Sequence, residues 1–205
     1  MIGIIDYGMG NLLSVRNAVE YLGFEAELIN SPEQLSSYEK LILPGVGAFP
    51  DCIKNITEKG FVNELNKEVL ENKKPILGIC LGMQLMAALG NEGSKTRGLG
   101  WFDSQIELML PDNDKCRIPH VGWSETTCSS HGLFNDIKGT PEFYFVHSYY
   151  MKCKNKNDVI ATFNHGGTFT AAVAKNNIIG CQFHPEKSQE HGLIVLSNFI
   201  HKTFN

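Results

Sequence analysis

No run of 18 apolar residues occurs in this 205-residue chain, and its opening, Met1-Ile2-Gly3-Ile4-Ile5-Asp6, lacks the basic segment and long apolar stretch of a secretory signal. No membrane span is expected, and the chain reads as cytoplasmic. Basic runs are also missing and the net charge is -4, so no nucleic-acid footprint is expected. The six cysteines contain no Cys-x-x-Cys pair, and in a cytoplasmic chain of this size they read as reduced thiols rather than three disulfides. Cys116, His120, Cys128 and His131 match a zinc-ligand quartet by residue type but not by spacing, so no structural metal and no cofactor is expected. Gly8-Met9-Gly10 and Gly45-Val46-Gly47 lack the third glycine of a dinucleotide fingerprint, where Leu13 and Pro50 stand instead, and neither continues as Gly-Lys-Ser/Thr. Repeats, linkers and low-complexity segments are absent, which leaves residues 1–205 as one domain.

Against those absences stands Pro75-Ile76-Leu77-Gly78-Ile79-Cys80-Leu81-Gly82-Met83-Gln84, an apolar strand running through Gly-x-Cys-x-Gly into a helix-forming segment. This is the pattern of a nucleophile elbow. Glycines two residues before and two after the central residue remove the Cβ atoms that would clash where a strand folds back into a helix. The start of that helix would favour thiolate over thiol at Cys80. Taken alone, Cys80 reads equally well as a small buried hydrophobe. A second segment, Ile178 to Glu186, reads as a strand ending in His184-Pro185-Glu186. Residues two apart on a strand share a face, so His184 and Glu186 point together, and a cysteine nucleophile needs such a base and orienting carboxylate.

Strands are expected at residues 1–5, 25–29 and 40–43, with helices over 11–22 (closed by Gly23), 61–72 and 191–202. Strands alternating with helices imply a mostly parallel open sheet, flavodoxin-like and flanked by helices. After Gly90, turns such as Asn164-His165-Gly166-Gly167 and Lys175-Asn176-Asn177 indicate hairpins and an antiparallel extension of this α/β fold. Sites in such sheets form beyond the carboxyl ends of the strands, so Cys80, the Pro44 to Gly47 loop and His184 should meet at one edge. The Gly45-Val46-Gly47 loop reads either as a backbone N–H cradle for an anion or as a plain turn.

With these residues the chain resembles the class I (triad) glutamine amidotransferases, and within them the glutaminase subunits of imidazole glycerol phosphate synthase. The landmarks span nearly the whole length: Ile5-Asp6-Tyr7-Gly8-Met9-Gly10-Asn11, Leu43-Pro44-Gly45-Val46-Gly47, the elbow, Gly98-Leu99-Gly100, Ile118-Pro119-His120-Val121-Gly122-Trp123, Tyr144-Phe145-Val146-His147-Ser148-Tyr149 and Gln182-Phe183-His184-Pro185-Glu186-Lys187-Ser188. The resemblance implies hydrolysis of glutamine to glutamate and ammonia by Cys80, His184 and Glu186. It implies oxyanion donors at Leu81 and at Val46 or Gly47, and glutamine held by Gln84, Glu92, Ser148 and Tyr149. For Gln84 the alternative is a plain helix-surface residue, and for Glu92 a solvated loop charge.

The resemblance further implies a heterodimer with a (β/α)8 barrel synthase (cyclase) subunit, which would take the ammonia for histidine biosynthesis. Asn11, His120, Trp123, Tyr144 and Lys187 would then belong to the interface and ammonia gate, with core packing as the alternative for Trp123. The family pattern Gly-Trp-Asn is Gly122-Trp123-Ser124 here, and the stretch from Thr127 to Gly139 is also atypical. Paralogues supply ammonia to sugar-amidating partners, and Ser124 leaves that acceptor open. A cysteine peptidase or chaperone-like relative would carry His directly after the cysteine, where Leu81 stands. A catalytically dead flavodoxin-like binding module would have lost part of the triad.

Overall fold

The computed structural model describes residues 1–112 and 116–203. In chain order the elements begin with β1 (Ile2–Ile5), α1 (Leu12–Tyr21), β2 (Ala26–Ile29), β3 (Lys40–Gly45), α2 (Phe49–Glu58) and α3 (Phe61–Asn66). The elbow region follows with β4 (Ile76–Cys80), α4 (Leu81–Leu85), β5 (Ala87–Gly90), β6 (Thr96–Arg97) and β7 (Phe102–Leu108). The second half contains β8 (His120–Cys128), β9 (Glu142–His147), β10 (Tyr149–Cys153), β11 (Val159–Asn164), β12 (Thr168–Lys175), β13 (Ile178–Cys181) and α5 (Gln189–His201).

One sheet of nine strands runs β2-β1-β3-β4-β13-β12-β11-β8-β9. Its first five strands pair in parallel and the remaining four continue it antiparallel, as the sequence pattern leads one to expect. Side chains alternate between two buried faces: Ile4, Ile42, Leu77 and Ile79 pack toward α1 and α5, while Ile5, Leu41, Leu43 and Ile76 pack toward α2 and α3. Continuous apolar runs in β1, β3 and β4 are therefore required, because neither face meets water.

Three features depart from the expected outline. A second sheet, β10-β7-β5-β6, lies on the α2 and α3 side, where Phe102, Ile106 and Met151 join the core. The helix expected over 61–72 is α3 followed by a π turn over Lys67–Glu71. Helix α2 has no counterpart in the expected outline; Pro50 stands in its first turn, where a missing N–H costs nothing.

The register sets the site. Gly45 pairs with Cys80 and Cys181 with Ile79, so the carboxyl ends of β3, β4 and β13 lie side by side. Chain leaving β3 becomes the glycine loop, chain leaving β4 the elbow, and chain leaving β13 the His-Pro-Glu segment.

Candidate active site

At the elbow Cys80 adopts φ +54° and ψ -113°, a conformation that L residues seldom take and that close packing imposes here. A Cβ on Gly82 would overlap the Leu43 carbonyl oxygen, and one on Gly78 would stand 2.7 Å from the Met83 nitrogen. Those two glycines are what allow β4, α4 and β3 to close around the turn. Helix α4 is only five residues long, so its macrodipole contributes little at the elbow.

Cys80, His184, Val46, Gly47, Leu81, Gln84, Glu92, Ser148 and Tyr149 all line one cleft of about 350 Å³. His184 Nδ1–H donates to Glu186 Oε1 at 2.8 Å, and both side chains are almost wholly buried. Its Nε2 is buried and makes no hydrogen bond among the described residues. Burial by itself pulls the imidazole downward, but the neighbouring Cys80 sulfur and the Glu186 carboxylate outweigh it and raise His184 to about 9. The geometry is that of an imidazole ring oriented from behind by a carboxylate, with its Nε2 on the side of the thiol.

The glycine loop is fastened from below. Val46 carbonyl accepts from Cys52 Sγ at 3.5 Å, and the Cys52 sulfur in turn accepts from the Tyr7 hydroxyl at 3.6 Å. Burial pushes the Cys52 thiol up to about 11, so at neutral pH it retains the proton it donates. Gly47 takes φ +104°, and a Cβ there would lie 2.8 Å from Met9 Cε.

Gln84 is not a surface residue: it is 3% exposed, and its Nε2 donates to the Tyr149 carbonyl at 3.0 Å and to Gln182 Oε1 at 2.9 Å. Glu92 is not a free loop charge either; its Oε2 accepts the Phe49 N–H at 2.7 Å and caps the start of α2. Ser148 and Tyr149 follow β9 and begin β10, which brings the second sheet to the rim of the cleft.

The five residues assigned to an interface separate into groups. Trp123 is 42% exposed, which removes core packing as its role, and its ring meets Tyr144 edge-on at 6.0 Å while Lys187 Nζ lies 5.9 Å from the Tyr144 ring centre. Val121 and Val146 extend this exposed face toward the cleft. His120 lies on the other face of β8, buried among Phe145, Phe163 and His165, with Nε2 3.1 Å from Ser124 Oγ. Asn11 is half-buried just before α1. Ser124 thus turns inward toward His120, on the opposite side of β8 from Trp123. Among the described residues no three His, Cys, Asp or Glu side chains gather as metal ligands, so Cys116, His120, Cys128 and His131 do not form a quartet.

Sequence reasoning missed Gln182, which is completely buried and donates from Nε2 to Cys80 Sγ at 3.7 Å. Its place two residues before His184 on an extended segment was the available signal, since alternate residues share a side.

Comparison with known proteins matches residues 3–203 to the family model "Glutamine amidotransferase class-I". The chain is 42% identical over 202 residues to "Imidazole glycerol phosphate synthase subunit HisH" of Leptospira interrogans, covering 97% of this chain and 98% of that protein. Identity is 46% over 200 residues with the protein of the same name from Caldanaerobacter subterraneus, covering 97% of each. Among solved structures, "Structure of PurLQS from Thermotoga maritima" matches with TM-score 0.77 at 19% identity, covering 97% of this chain and 96% of that one. "Crystal structure of glutamine amidotransferase" matches with TM-score 0.75 at 20% identity, covering 97% and 98%. These two structures share the fold.

Proposed function

The chain belongs to the class-I glutamine amidotransferases and, within them, to the HisH subunits of imidazole glycerol phosphate synthase, and on that footing we propose that it hydrolyses glutamine for histidine biosynthesis through Cys80, His184 and Glu186. The observation that carries this reading is the buried His184–Glu186 pair whose free Nε2 shares a cleft with Cys80. The Cys80 proton passes to His184 Nε2, and the sulfur attacks the side-chain amide carbon of glutamine. The carbonyl π pair moves to oxygen, where the Leu81 N–H and an N–H of Val46 or Gly47 receive the negative charge. Collapse breaks the C–N bond as His184 returns its proton to the departing ammonia. Water, deprotonated by His184, then cleaves the thioester and releases glutamate. Every step uses side chains, backbone amides and water, and Glu186 orients the ring throughout.

In this reading residues 1–205 act as one amidotransferase domain. Gln84, Glu92, Ser148 and Tyr149 hold the substrate: Gln84 has its nitrogen committed to the protein, which leaves its oxygen for the substrate. Ammonia released to solvent at neutral pH would become ammonium, so hydrolysis needs a synthase subunit to receive it directly. A (β/α)8 barrel in a heterodimer, docked on the Val121, Trp123 and Val146 face with Tyr144 and Lys187, is the arrangement we favour. His120 and Asn11 would line its approach from beneath. No helix among the described residues is long and apolar enough to cross a membrane, in keeping with a cytoplasmic site of action.

A chloroketone analogue of glutamine tests the chemistry. It should label Cys80 alone, and Cys80→Ala should abolish glutamate release while the complex still forms product from added ammonium salts. Glutamine-dependent synthesis by Cys80→Ala would refute the assignment.

A further inference from the structure

Gln182 continues β13, where its backbone N–H donates to the Ala171 carbonyl at 2.8 Å, and its side chain is 0% exposed. A buried primary amide has to satisfy both its acceptor and its donors. Gln182 Oε1 accepts from Gln84 Nε2 at 2.9 Å, and that nitrogen is also fixed on the Tyr149 carbonyl at 3.0 Å. Turning the Gln182 amide over would set two N–H groups against each other and aim an oxygen at the sulfur. Its polarity is therefore determined, and the N–H side faces Cys80 Sγ at 3.7 Å.

The sulfur's other polar neighbour among the bonded groups described is the Val146 carbonyl at 4.0 Å, an acceptor that attracts a thiol and repels a thiolate. Beside the His184 ring, Gln182 is thus a second side-chain donor placed to hold the ionised form. A five-residue α4 makes this matter, because so short a helix offers little dipole.

We infer that Gln182 is a further catalytic residue of this site: its side-chain N–H hydrogen-bonds the Cys80 thiolate, stabilising and aiming the nucleophile, with Gln84 as the positioning residue that fixes its orientation. The role rests on the reading of Cys80 as nucleophile. When the Cys80 proton moves to His184 Nε2, the negative charge left on sulfur falls on the Gln182 N–H, and it departs as the C–S bond forms. Charge-assisted hydrogen bonds are about twice as strong as neutral ones, so the contact strengthens as the thiolate appears.

The test is the rate of iodoacetamide alkylation at Cys80, followed by mass spectrometry of its peptide from pH 5 to 10, in the full chain and in Gln182→Met and Gln84→Met. Methionine preserves length without the donor. Gln182→Met should alkylate about tenfold more slowly at neutral pH, the effect of one hydrogen bond to a charged group, and recover the wild-type rate at alkaline pH. Gln84→Met should shift the profile in the same direction by less. In the complex with its synthase partner, Gln182→Met should lower kcat with KM little changed, a split that loss of packing alone would not produce. A Gln182→Met profile superimposable on wild type, with circular dichroism intact, overturns the inference. If Gln182→Met does not fold, a superimposable Gln84→Met profile overturns it instead. Glutamine-dependent activity surviving in Cys80→Ala would overturn the underlying reading and this inference together, whereas failure of the Gln182 effect alone leaves that reading standing.

Discussion

Removing Glu186 separates orientation of the base from the base itself. Glu186 Oε1 accepts from His184 Nδ1 at 2.8 Å with both side chains almost wholly buried, so Glu186→Ala leaves the imidazolium without its partner. A hydrogen bond to a charged group is worth about 1.5–3 kcal/mol, which corresponds to a loss of about 10- to 150-fold in kcat. His184→Ala instead removes general acid and base from both half-reactions, each typically worth about 10²–10⁴, so it should be the more damaging change. The pH profile provides a second reading. His184 is raised to about 9 because Cys80 and Glu186 outweigh the downward pull of burial. The imidazolium is the form that protonates the departing nitrogen so that it leaves as ammonia, so activity should be lost as pH rises through that value. Without Glu186, burial is opposed by Cys80 alone, and the alkaline limb should move down by about one pH unit or more. Linkage has the same sign: a raised histidine stabilises the fold fully below its ordinary 6.5, and this contribution is lost as pH rises through about 9. Partner-stimulated glutamate release from pH 6 to 10 measures both effects. An unmoved alkaline limb, or a kcat for Glu186→Ala at or below that of His184→Ala, would refute the assigned roles.

Gly47→Val forces a β-branched residue to φ +104° with its Cβ against Met9, so partner-stimulated kcat should fall at least about tenfold while KM for glutamine, from steady-state assays, changes far less. Trp123→Ala removes an exposed aromatic from the proposed docking face and should weaken assembly by about 2 kcal/mol or more, read as a rise in Kd by titration with the synthase subunit; an unchanged Kd would place docking elsewhere. His147 is lowered to about 4, first by burial and then by His120, His165 and His184, against the Tyr149 carbonyl that favours its charge. The unfolded chain therefore binds the extra proton between about 6.5 and 4, and stability falls as pH drops through that window, by about 3 kcal/mol at most for this ring. His147→Asn, whose amide can still donate to Tyr149, should flatten that part of the curve in urea melts, and parallel curves would contradict the assignment.

What the sequence made legible was local in the chain. Gly78, Cys80 and Gly82 specify their turn through contacts within a few residues, and His184 and Glu186 reach one side of a segment by period two. Strand ends pointing to one edge follow from parallel topology alone. Residues whose role depends on a partner far along the chain were not legible. Local pattern alone leaves Gln84 as a helix-surface residue, and only the resemblance gave it a substrate role; its burial depends on Tyr149 and Gln182, 65 and 98 residues away. His120 stands three residues before the exposed Trp123 on the same strand, and strand alternation sends it to the opposite face. The second sheet was hidden because β5 pairs in parallel with β7 across a short excursion, a register that no hairpin signal announces. Helix α2 escaped because its start lies behind the glycines of the loop, which read as a turn.

Strand β9 joins the two halves of the proposed activity physically. On its outer side Tyr144 stands opposite Trp123 and Val146 opposite Val121, forming the exposed face. Through its backbone the same strand reaches the triad: the Tyr144 carbonyl accepts the His184 N–H at 2.9 Å, and its N–H donates to Ser188 Oγ at 3.0 Å, which donates to the His184 carbonyl at 2.6 Å. The Val146 carbonyl lies 4.0 Å from the Cys80 sulfur, and His147 and Ser148 continue into the cleft wall. In the docking proposed above, a subunit seated on this face would press on a strand whose hydrogen bonds hold the proposed base and whose carbonyl would oppose a thiolate. Displacing β9 by a fraction of an ångström away from Cys80 would weaken the contact that favours the thiol and leave the Gln182 contact intact. That gives docking a direct route to the nucleophile without any movement in β3, β4 or β13, whose parallel ladder keeps the elbow fixed.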